Sequence, residues 1–431
     1  MTLDVVALRR DFHRHPETAF TEIRTVAKVA EVLTDLGLQP LLGEQVMRRQ
    51  DVVDYPSEEQ LDAAAEQASA TGAEDSWVSR VRQDGTALVV DLPGSRPGPT
   101  WALRCDTDAL PIAESDAAGT DDSPGHFPAV HGFASAFPGA MHACGHDGHT
   151  AIGLGLAERL RRDPDFPGTV RLLFQPAEEG GRGAASMLAA QAADGVDRFL
   201  ALHLGLGYRC CHVVGGAVGA FATTKLRARF TGVASHAAAS PQEGRNALAA
   251  AAAATLAVLG QPRWSTSDTR VNVGTLHAGD NVNIVPAWAE LTAETRALDA
   301  GVQAELTERV VRALHGAADT YGCRAEVVHT GGSTTLASDE ELAQVVCRCA
   351  TALGGTAQTF GDMPGSDDAS LFMAEVQRRG GTAAYVIVGA DNSAPHHNPA
   401  FDVDERALGF SVDLLESLLR DAPREHVDPT G

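Results

Sequence analysis

The sequence of 431 residues predicts an α/β protein with a mixed sheet, into which a smaller α+β domain is inserted. Three observations support this. Short apolar strands alternate with helices, several of these strands end at a polar residue, and the stretch from about residue 223 to 335 has a different pattern. A chain of this length exceeds one ordinary hydrophobic core, so two or three domains are expected.

The N-terminal segment is predicted to be mostly helical. This segment runs from Leu3 to Gly37, which ends it, and its apolar residues recur at helical spacing, at Ile23, Val26, Ala27, Ala30 and Leu33. Residues 44–80 are polar and rich in Ala, Glu and Gln, and Pro56–Glu59 is a typical helix start. We therefore expect a helical insertion here, ahead of the first strand.

Five short apolar runs are predicted to be strands of the first domain, with a helix at 150–160 between the second and the third. The runs are Thr86–Leu92, Thr100–Arg104, Val170–Phe174, Phe199–His203 and Tyr385–Gly389. In α/β sheets, functional groups gather at the carboxyl ends of the strands. The polar residues that follow these runs are therefore expected to lie together.

The inserted segment is predicted to fold as a ferredoxin-like unit. Its elements follow the order β-α-β-β-α-β, at Lys225–Thr231, Asn246–Gly260, Arg270–Leu276, Ala287–Arg296, Gly301–Tyr321 and Ala325–Thr330. The expected domains are a catalytic domain of residues 1–222 and 337–431, and a lid and dimerisation domain of residues 223–336.

The net charge of −23 argues against binding to nucleic acid or to an anionic membrane surface. An acidic substrate would need a local cationic pocket. The N-terminus lacks the pattern of a signal peptide, and no apolar run reaches the length of a membrane span. The seven cysteines have no disulfide spacing, and the adjacent Cys210 and Cys211 favour free thiols. We expect a cytoplasmic protein.

The stretch Met141–His149 carries three histidines, one cysteine and one aspartate within nine residues. Imidazole, thiolate and carboxylate are ligands of divalent transition metals. Further along, the chain offers Glu178-Glu179, His203 and His396-His397. This pattern indicates a metal-dependent hydrolase, whereas a structural zinc site would be richer in cysteine.

The candidate metal ligands are Cys144, His146, Glu179, His203 and His397. Five ligands exceed the needs of one tetrahedral ion, so a site with two ions about 3.5–4 Å apart is the natural account. Any one of these side chains taken alone could be an ordinary core or surface residue. The sequence does not separate His396 from His397.

Several other polar residues are candidates with an equally simple structural explanation. Glu178 could act as general base beside the ligand Glu179, or the pair could be a solvated turn. Asp106 and Asp108 could orient a ligand imidazole, or cap a turn. Arg296 suits a substrate carboxylate, but it and His236 could both be plain surface residues.

The remaining histidines are expected to have structural roles. His142 and His149 flank the cluster and are predicted to support it rather than to bind metal directly. His13 and His15 are predicted to be a local helix or surface feature.

With these residues in view, the chain resembles the M20 metallopeptidase family, specifically its amidohydrolase branch (subfamily D), and within it the p-aminobenzoyl-glutamate hydrolases. The matching segments run nearly end to end. They are Asp11–Glu17, Arg104–Pro111, Met141–Thr150, Gln175–Gly180, Ala201–His203, Gly232–Asn246, Asn283–Pro286 and His397–Phe401.

The resemblance implies a catalytic domain of the zinc-exopeptidase type and a role for each candidate. The five candidate ligands look like the metal ligands, Glu178 like the general base and acid, and Asp108 like an orienting residue. His236 resembles a histidine that reaches a partner's active site and stabilises the oxyanion. Asn283 and Arg296 look like groups that hold the substrate carboxylate.

The resemblance also implies an activity. We expect a dinuclear amidohydrolase of N-acyl or N-aroyl amino acids that acts on p-aminobenzoyl-glutamate with two Mn²⁺ ions. The ligand types suit Zn²⁺ at least as well. The alternatives are an indole-acetyl-aspartate hydrolase, a general aminoacylase, or a metal-binding partner chain without catalytic activity. A homodimer is expected, and a related second subunit is possible.

Overall fold

The computed structural model describes residues 3–117, 125–363 and 365–420. The last part of the predicted catalytic domain, residues 421–431, lies outside these ranges. The strands are β1 (Leu88–Pro93), β2 (Arg96–Asp106), β3 (Pro167–Gln175), β4 (Arg198–Leu204), β5 (His212–Val218), β6 (Ala222–Thr231), β7 (Thr269–Ala278), β8 (Trp288–Ala297), β9 (Arg324–Ser333), β10 (Thr356–Asp362) and β11 (Thr382–Val388).

The helices surround two separate sheets. They are α1 (Val5–Arg14), α2 (Ile23–Asp35), α3 (Glu58–Ala70), α4 (Asp75–Asp84), α5 (Phe127–Val130), α6 (His146–Arg162), α7 (Gly183–Ala189), α8 (Ala247–Leu259), α9 (Ala300–Thr320), α10 (Glu340–Ala352), α11 (Ala369–Arg378) and α12 (Arg406–Arg420).

The larger sheet has the strand order β1-β3-β2-β4-β11-β5-β10. Strands β3, β2, β4 and β11 run parallel to one another, whereas β1 pairs with β3 and β11 pairs with β5 in antiparallel fashion. Helices cover the central strands, which read as nearly continuous buried runs, as is typical of parallel strands. The predicted mixed-sheet α/β class is confirmed.

The N-terminal segment, which was predicted to be mostly helical, forms the two helices α1 and α2. Helix α1 ends at Arg14 because Pro16 disfavours helical geometry in His15, which has left the helical region. The predicted helical insertion is present as α3 and α4. Helix α3 begins with a capping box between Ser57 and Gln60.

The helix predicted at 150–160 begins earlier, at His146, inside the histidine-rich stretch. Gly145 makes this possible, because its φ of 91° lies in the left-handed region that glycine adopts without a steric penalty. The backbone therefore turns sharply at Gly145, and the first turn of α6 carries His146 and His149.

The smaller sheet is antiparallel, with the order β7-β8-β6-β9. Its elements follow the chain as β6-α8-β7-β8-α9-β9, and both helices pack on the sheet around a separate apolar core. This arrangement is ferredoxin-like. Its role as a lid and dimerisation domain stays a prediction.

Within the described ranges, no helix combines the length and the apolar character that crossing a membrane would require.

Candidate metal centre

The carboxyl ends of β2, β3 and β4 meet at one edge of the larger sheet. Strand β2 ends at Asp106, β3 ends at Gln175 just before the Glu178-Glu179 turn, and β4 carries His203 as its penultimate residue. The loop after β11 brings His396 and His397 to the same edge. Polar groups that are far apart in sequence therefore converge, as expected for an α/β sheet.

The structure brings the five candidate ligands together. The Cys144 sulfur lies 3.5 Å from Nε2 of His203. Nε2 of His397 lies 3.3 Å from Oε2 of Glu179, and Nε2 of His146 lies 4.0 Å from Oε1 of Glu179. Cys144, His146 and His203 form one group of converging ligand atoms, and Cys144, Glu179 and His397 form another.

Among the candidate ligands, Nε2 of His146 and Oε1 of Glu179 are buried and have no hydrogen-bond partner in the described residues. A buried polar atom without a partner is costly, so it indicates a missing ion or water. The donor set of one sulfur, three imidazole nitrogens and a carboxylate suits divalent transition metals. The residues present therefore fit a metal centre with more than one ion.

Backbone carbonyls orient two of the ligand imidazoles. Nδ1 of His146 donates to the Asp108 carbonyl at 2.8 Å, and Nδ1 of His203 donates to the Leu204 carbonyl at 2.9 Å. Because a carbonyl only accepts, each Nδ1 carries the proton. In its neutral form, each ring therefore presents an unprotonated Nε2, which is the form that binds metal.

Two buried carboxylates hold the turn that carries Glu178 and Glu179. Asp108 accepts the Glu178 N–H on Oδ1 at 3.0 Å and the Glu179 N–H on Oδ2 at 3.1 Å. Glu22 accepts the Ala177 N–H at 3.0 Å. Ala177 has a φ of 55°, which is unfavourable for a residue with a Cβ, so these contacts stabilise a strained turn.

Glu178 lies beside the ligands, with its Oε2 4.0 Å from Nε2 of His146. Burial, followed by the nearby Asp367 and Glu179 carboxylates, raises the pKa of Glu178 well above that of a free glutamate. Bound cations would oppose this shift. A buried carboxyl with these competing influences can accept a proton and return it.

A network that the sequence analysis missed supports the strand ends. Arg104 is fully buried, forms ion pairs with Asp106 and Asp367, and donates through Nε to Gln175 at 3.1 Å. The Tyr385 hydroxyl donates to Asp367 at 2.6 Å. The adjacent acids Asp367-Asp368 were a visible signal in the sequence, but nothing local linked them to a buried arginine.

A cavity large enough for a small molecule lies beside the candidate ligands. A cavity of about 670 Å³ is bounded by Cys144, Glu178, Glu179, His203 and His397, together with apolar residues such as Leu206, Met363 and Pro395. Cavities of this size hold small ligands, and the apolar lining is typical of such sites.

A smaller cavity of about 300 Å³ adjoins the same residues and is lined by two cationic side chains. It shares Glu178, Glu179 and His397 with the larger cavity and adds Lys225 and Arg296. Arg296 is half-buried and forms an ion pair with Glu294 at 3.0 Å. Nζ of Lys225 donates to the Glu179 carbonyl at 3.1 Å. In the sequence, Lys225 was predicted only as the first residue of a strand of the inserted domain.

The structure does not bring His236 and Asn283 to this centre. His236 forms an isolated β-bridge with Ile284, and Asn283 directly precedes Ile284. Neither His236 nor Asn283 is among the described residues that line the two cavities. Nδ1 of His236 accepts the N–H groups of Ala238 and Ala239, each at 3.1 Å. A neutral His236 ring therefore carries its proton on Nε2.

The other histidines at the centre have distinct places. His149 donates from Nδ1 to Asp106 at 2.6 Å and accepts the Leu204 N–H on Nε2 at 3.0 Å, so neither nitrogen is free for metal. His142 is buried without a hydrogen-bond partner among the described residues. His396 contacts the Leu204 carbonyl at 3.2 Å, whereas His397 faces Glu179.

The expectation that His13 is a local helix or surface feature is wrong. Its ring is fully buried, with Nδ1 2.8 Å from Asp147 and Nε2 2.9 Å from Glu114. Arg9 also pairs with Asp147, at 2.7 Å. These residues form a buried charge cluster behind the first turn of α6, which spacing along α1 alone did not reveal.

The sequence profile of peptidase family M20/M25/M40 matches residues 102–421. Indole-3-acetyl-aspartic acid hydrolase of Enterobacter agglomerans is 42% identical over 412 residues, which cover 94% of this chain and 93% of that protein. One of the chains of p-aminobenzoyl-glutamate hydrolase from Escherichia coli (strain K12) is 41% identical over 411 residues, with the same coverage of both chains.

Two solved structures share the fold. The aminobenzoyl-glutamate utilization protein of Klebsiella pneumoniae aligns with a TM-score of 0.82 and 36% identity, covering 98% of this chain and 96% of that one. A dinuclear metal-binding peptidase from the M20 family of Bacillus subtilis aligns with a TM-score of 0.66 and 25% identity, covering 96% of each chain.

Proposed function

Because the chain belongs to peptidase family M20/M25/M40, we propose that it hydrolyses p-aminobenzoyl-glutamate to p-aminobenzoate and glutamate. It is a metal-dependent amidohydrolase that acts on N-acyl amino acids. One observation carries the more specific proposal. The convergent ligands and Glu178 lie between an apolar cavity and a cavity that contains Lys225 and Arg296.

Cys144, His146, Glu179, His203 and His397 would hold two divalent ions, Mn²⁺ by resemblance or Zn²⁺ by ligand type. When bound, the ions supply Lewis-acid activation of the amide carbonyl and of the attacking water. Glu178 accepts a proton from that water and passes it to the leaving amide nitrogen. Asp108 keeps Glu178 and Glu179 in place during the transfer.

The substrate fits the two cavities by its chemistry. An aromatic acyl group suits the larger cavity, which Leu206, Met363 and Pro395 make partly apolar. Glutamate carries two carboxylates, and Lys225 and Arg296 provide two cations beside the scissile position. The same cavity also contains the carboxylates of Glu178, Glu179, Asp367 and Asp368, whose negative charge two bound metal ions would offset. Lys225 and Arg296 are then the local cations that an acidic substrate requires.

A second candidate substrate is indole-3-acetyl-aspartate, favoured by the 42% identity to a hydrolase of that conjugate. It too joins an aromatic acyl group to an acidic amino acid. The two substrates differ mainly in the depth of the acyl cavity and the reach of the carboxylate. Such analogues differ by only a few kcal/mol in transition-state binding, so a comparison of kcat/KM is required.

His236 and Asn283 are proposed to act from another position of the smaller domain or from a second copy of the chain. Their separation from the cavities supports this. A homodimer follows as a proposal. The Escherichia coli relative is named as one chain of a larger enzyme, which supports testing for a related second chain.

Seven free cysteines favour the cytoplasm as the compartment.

The deciding experiment measures release of p-aminobenzoate by the pure chain, stripped of metal and reloaded with Mn²⁺ or Zn²⁺. We expect metal-dependent turnover, and a Glu178→Gln variant that binds as much metal as the wild type but loses about 10²–10⁴-fold in kcat. Turnover of indole-3-acetyl-aspartate alone would replace the proposed substrate. Near-normal activity of Glu178→Gln would contradict the proposed mechanism.

A further inference from the structure

The loop between β4 and β5, residues 205–211, carries two adjacent cysteines beside the substrate cavity. The sulfurs of Cys210 and Cys211 are 3.2 Å apart, and both residues are half-buried. Cys211 has a φ of 64°, a left-handed conformation that is uncommon for a residue with a side chain. Neither cysteine belongs to the metal centre.

We propose that Cys210 and Cys211 form a redox-modification site, at which a hydroperoxide converts the two thiols into a reversible vicinal disulfide that lowers turnover. The effect on turnover rests on the proposed function, whereas formation of the bond does not. The oxidant is of the hydrogen peroxide class, and a dithiol reductant restores the free thiols.

The chemistry balances with hydrogen peroxide as the only co-reactant. One thiolate attacks a peroxide oxygen, so the O–O bond breaks, a sulfenic acid forms and one water leaves. The neighbouring thiol then attacks the sulfenic sulfur, so the S–S bond forms, the S–O bond breaks and a second water leaves. The cysteines are oxidised by two electrons and the peroxide is reduced by two.

Burial, followed by the neighbouring Cys211 thiol and the Asp404 carboxylate, raises the pKa of the Cys210 thiol. The thiolate is the nucleophilic form, so the thiol of the pair that loses its proton attacks the peroxide first, and its neighbour then resolves the sulfenic acid.

The resulting disulfide would be strained and easily reduced. Adjacent residues joined by a trans peptide have Cα atoms about 3.8 Å apart, below the usual separation of about 4.4–6.8 Å in a disulfide. Strained disulfides have higher potentials and are the labile kind. The site therefore suits a switch rather than a permanent crosslink.

The loop transmits this strain to the cavity wall through backbone hydrogen bonds. The Cys211 N–H donates to the Gly389 carbonyl at 3.0 Å, and the Ala390 N–H donates to the Tyr208 carbonyl at 3.2 Å. Leu206 and Gly207 of the same loop line the substrate cavity, as does Asn392 just after Ala390. Closing the 210–211 bond would shift both walls of the cavity.

The packing beneath the loop leaves little room for adjustment. A Cβ on Gly205 would lie 2.2 Å from the Asn392 side chain, so the two chain segments are already in close contact. A shift in the loop is therefore passed to Asn392 and to the segment that carries His396 and His397.

The test treats the metal-loaded enzyme with hydrogen peroxide, maps disulfides by peptide mass spectrometry and measures kcat/KM before and after dithiothreitol. We expect a 210–211 bond, a loss of two free thiols, and a fall in kcat/KM of about tenfold, since small displacements at a site misplace bound substrate. Dithiothreitol should restore both the thiols and the activity.

The variants separate this site from damage to the ligand Cys144. Cys210→Ser and Cys211→Ser should keep basal activity and resist peroxide, whereas the matched control Cys347→Ser, at another half-buried thiol, should respond like the wild type. Equal inactivation of the two serine variants, or no mapped 210–211 bond, overturns the proposal. A mapped bond in a chain without turnover on any tested substrate would instead contradict the proposed function.

Discussion

Asp108 binds both members of the Glu178-Glu179 pair through their backbone. Its Oδ1 accepts the Glu178 N–H at 3.0 Å, and its Oδ2 accepts the Glu179 N–H at 3.1 Å. Its own carbonyl accepts Nδ1–H of His146 at 2.8 Å. One buried residue just past the end of β2 therefore positions the proposed general base and two proposed metal ligands.

Asp108→Asn should lower both kcat and metal affinity. The amide keeps one acceptor but turns its NH₂ toward a backbone N–H, so one of the two contacts is lost. Loss of a hydrogen bond that orients a metal ligand typically lowers activity or metal affinity about 10–100-fold. The check is kcat together with metal content after dialysis. Asp62→Asn, at an exposed site in α3, is the control, and unchanged kinetics of Asp108→Asn would contradict the positioning role.

Glu22 should matter through the acceptor that it offers to Ala177. Glu22→Ala removes the contact that holds the strained Ala177 turn, so we expect kcat to fall about tenfold or more as Glu178 is misplaced. Glu22→Gln retains an acceptor oxygen and should recover most of the activity. Glu31→Ala, on the helix that follows Glu22, is the control; failure of Gln to rescue would indicate a role for the charge itself.

Lys225 and Arg296 should determine the preference for acidic amino acids. Lys225→Met and Arg296→Met should each raise KM about 10–100-fold for p-aminobenzoyl-glutamate, because hydrogen bonds to charged groups are worth about 1.5–3 kcal/mol. The two variants should lose less with an acyl-alanine substrate, which has one carboxylate. Arg229→Met, farther along β6, is the control. An equal loss with every substrate would argue for a purely structural role.

His236 should act on the transition state rather than on folding. Its Nδ1 accepts two backbone N–H groups, so Nε2–H is available as a donor. We expect His236→Ala to lower kcat about 10²–10³-fold, the usual cost of losing an oxyanion donor, with unchanged Tm. Mixing inactive His236→Ala with inactive Glu178→Gln should restore activity if His236 acts across a dimer. His277→Ala is the exposed control, and full activity of His236→Ala would exclude the role.

Glu114 should contribute to stability above about pH 4.5 and lose that contribution in acid. Burial opposes its ionisation, but hydrogen bonds from His126 and His13 outweigh burial and lower the pKa of Glu114 to about 2. A folded pKa below the unfolded value of 4.5 means that stability is lost as pH falls between these values.

The measurement for Glu114 is the free energy of unfolding against pH for the wild type and Glu114→Gln. The variant should be less stable by up to about 2 kcal/mol at about pH 6, since charged hydrogen bonds are lost. The difference in the free energy of unfolding between the wild type and the variant should shrink as the pH falls toward the pKa of Glu114. Glu308→Gln, at an exposed site in α9, should show no such convergence, and a constant difference for Glu114→Gln would show that the carboxylate charge is not the cause.

The fold class and most of the strands could be predicted from the amino-acid sequence alone. Apolar runs such as 170–174 and 199–203 are long enough and sharp enough to predict buried strands, and the observed β3 and β4 contain them. The ligand types were equally visible, since Cys144 and His146 lie within one short motif. These features each involve residues that are close together in the sequence, so they can be recognised without knowledge of the fold.

Which polar groups meet depends on the packing of the folded chain. His149 and His146 share the first turn of α6, yet Asp106 and the Leu204 N–H occupy both nitrogens of His149 and leave Nε2 of His146 free. Lys225 lies in the smaller sheet but donates to the Glu179 carbonyl. Such contacts join residues from different strands and helices, so they depend on how the chain packs, and no pattern along the sequence encodes them.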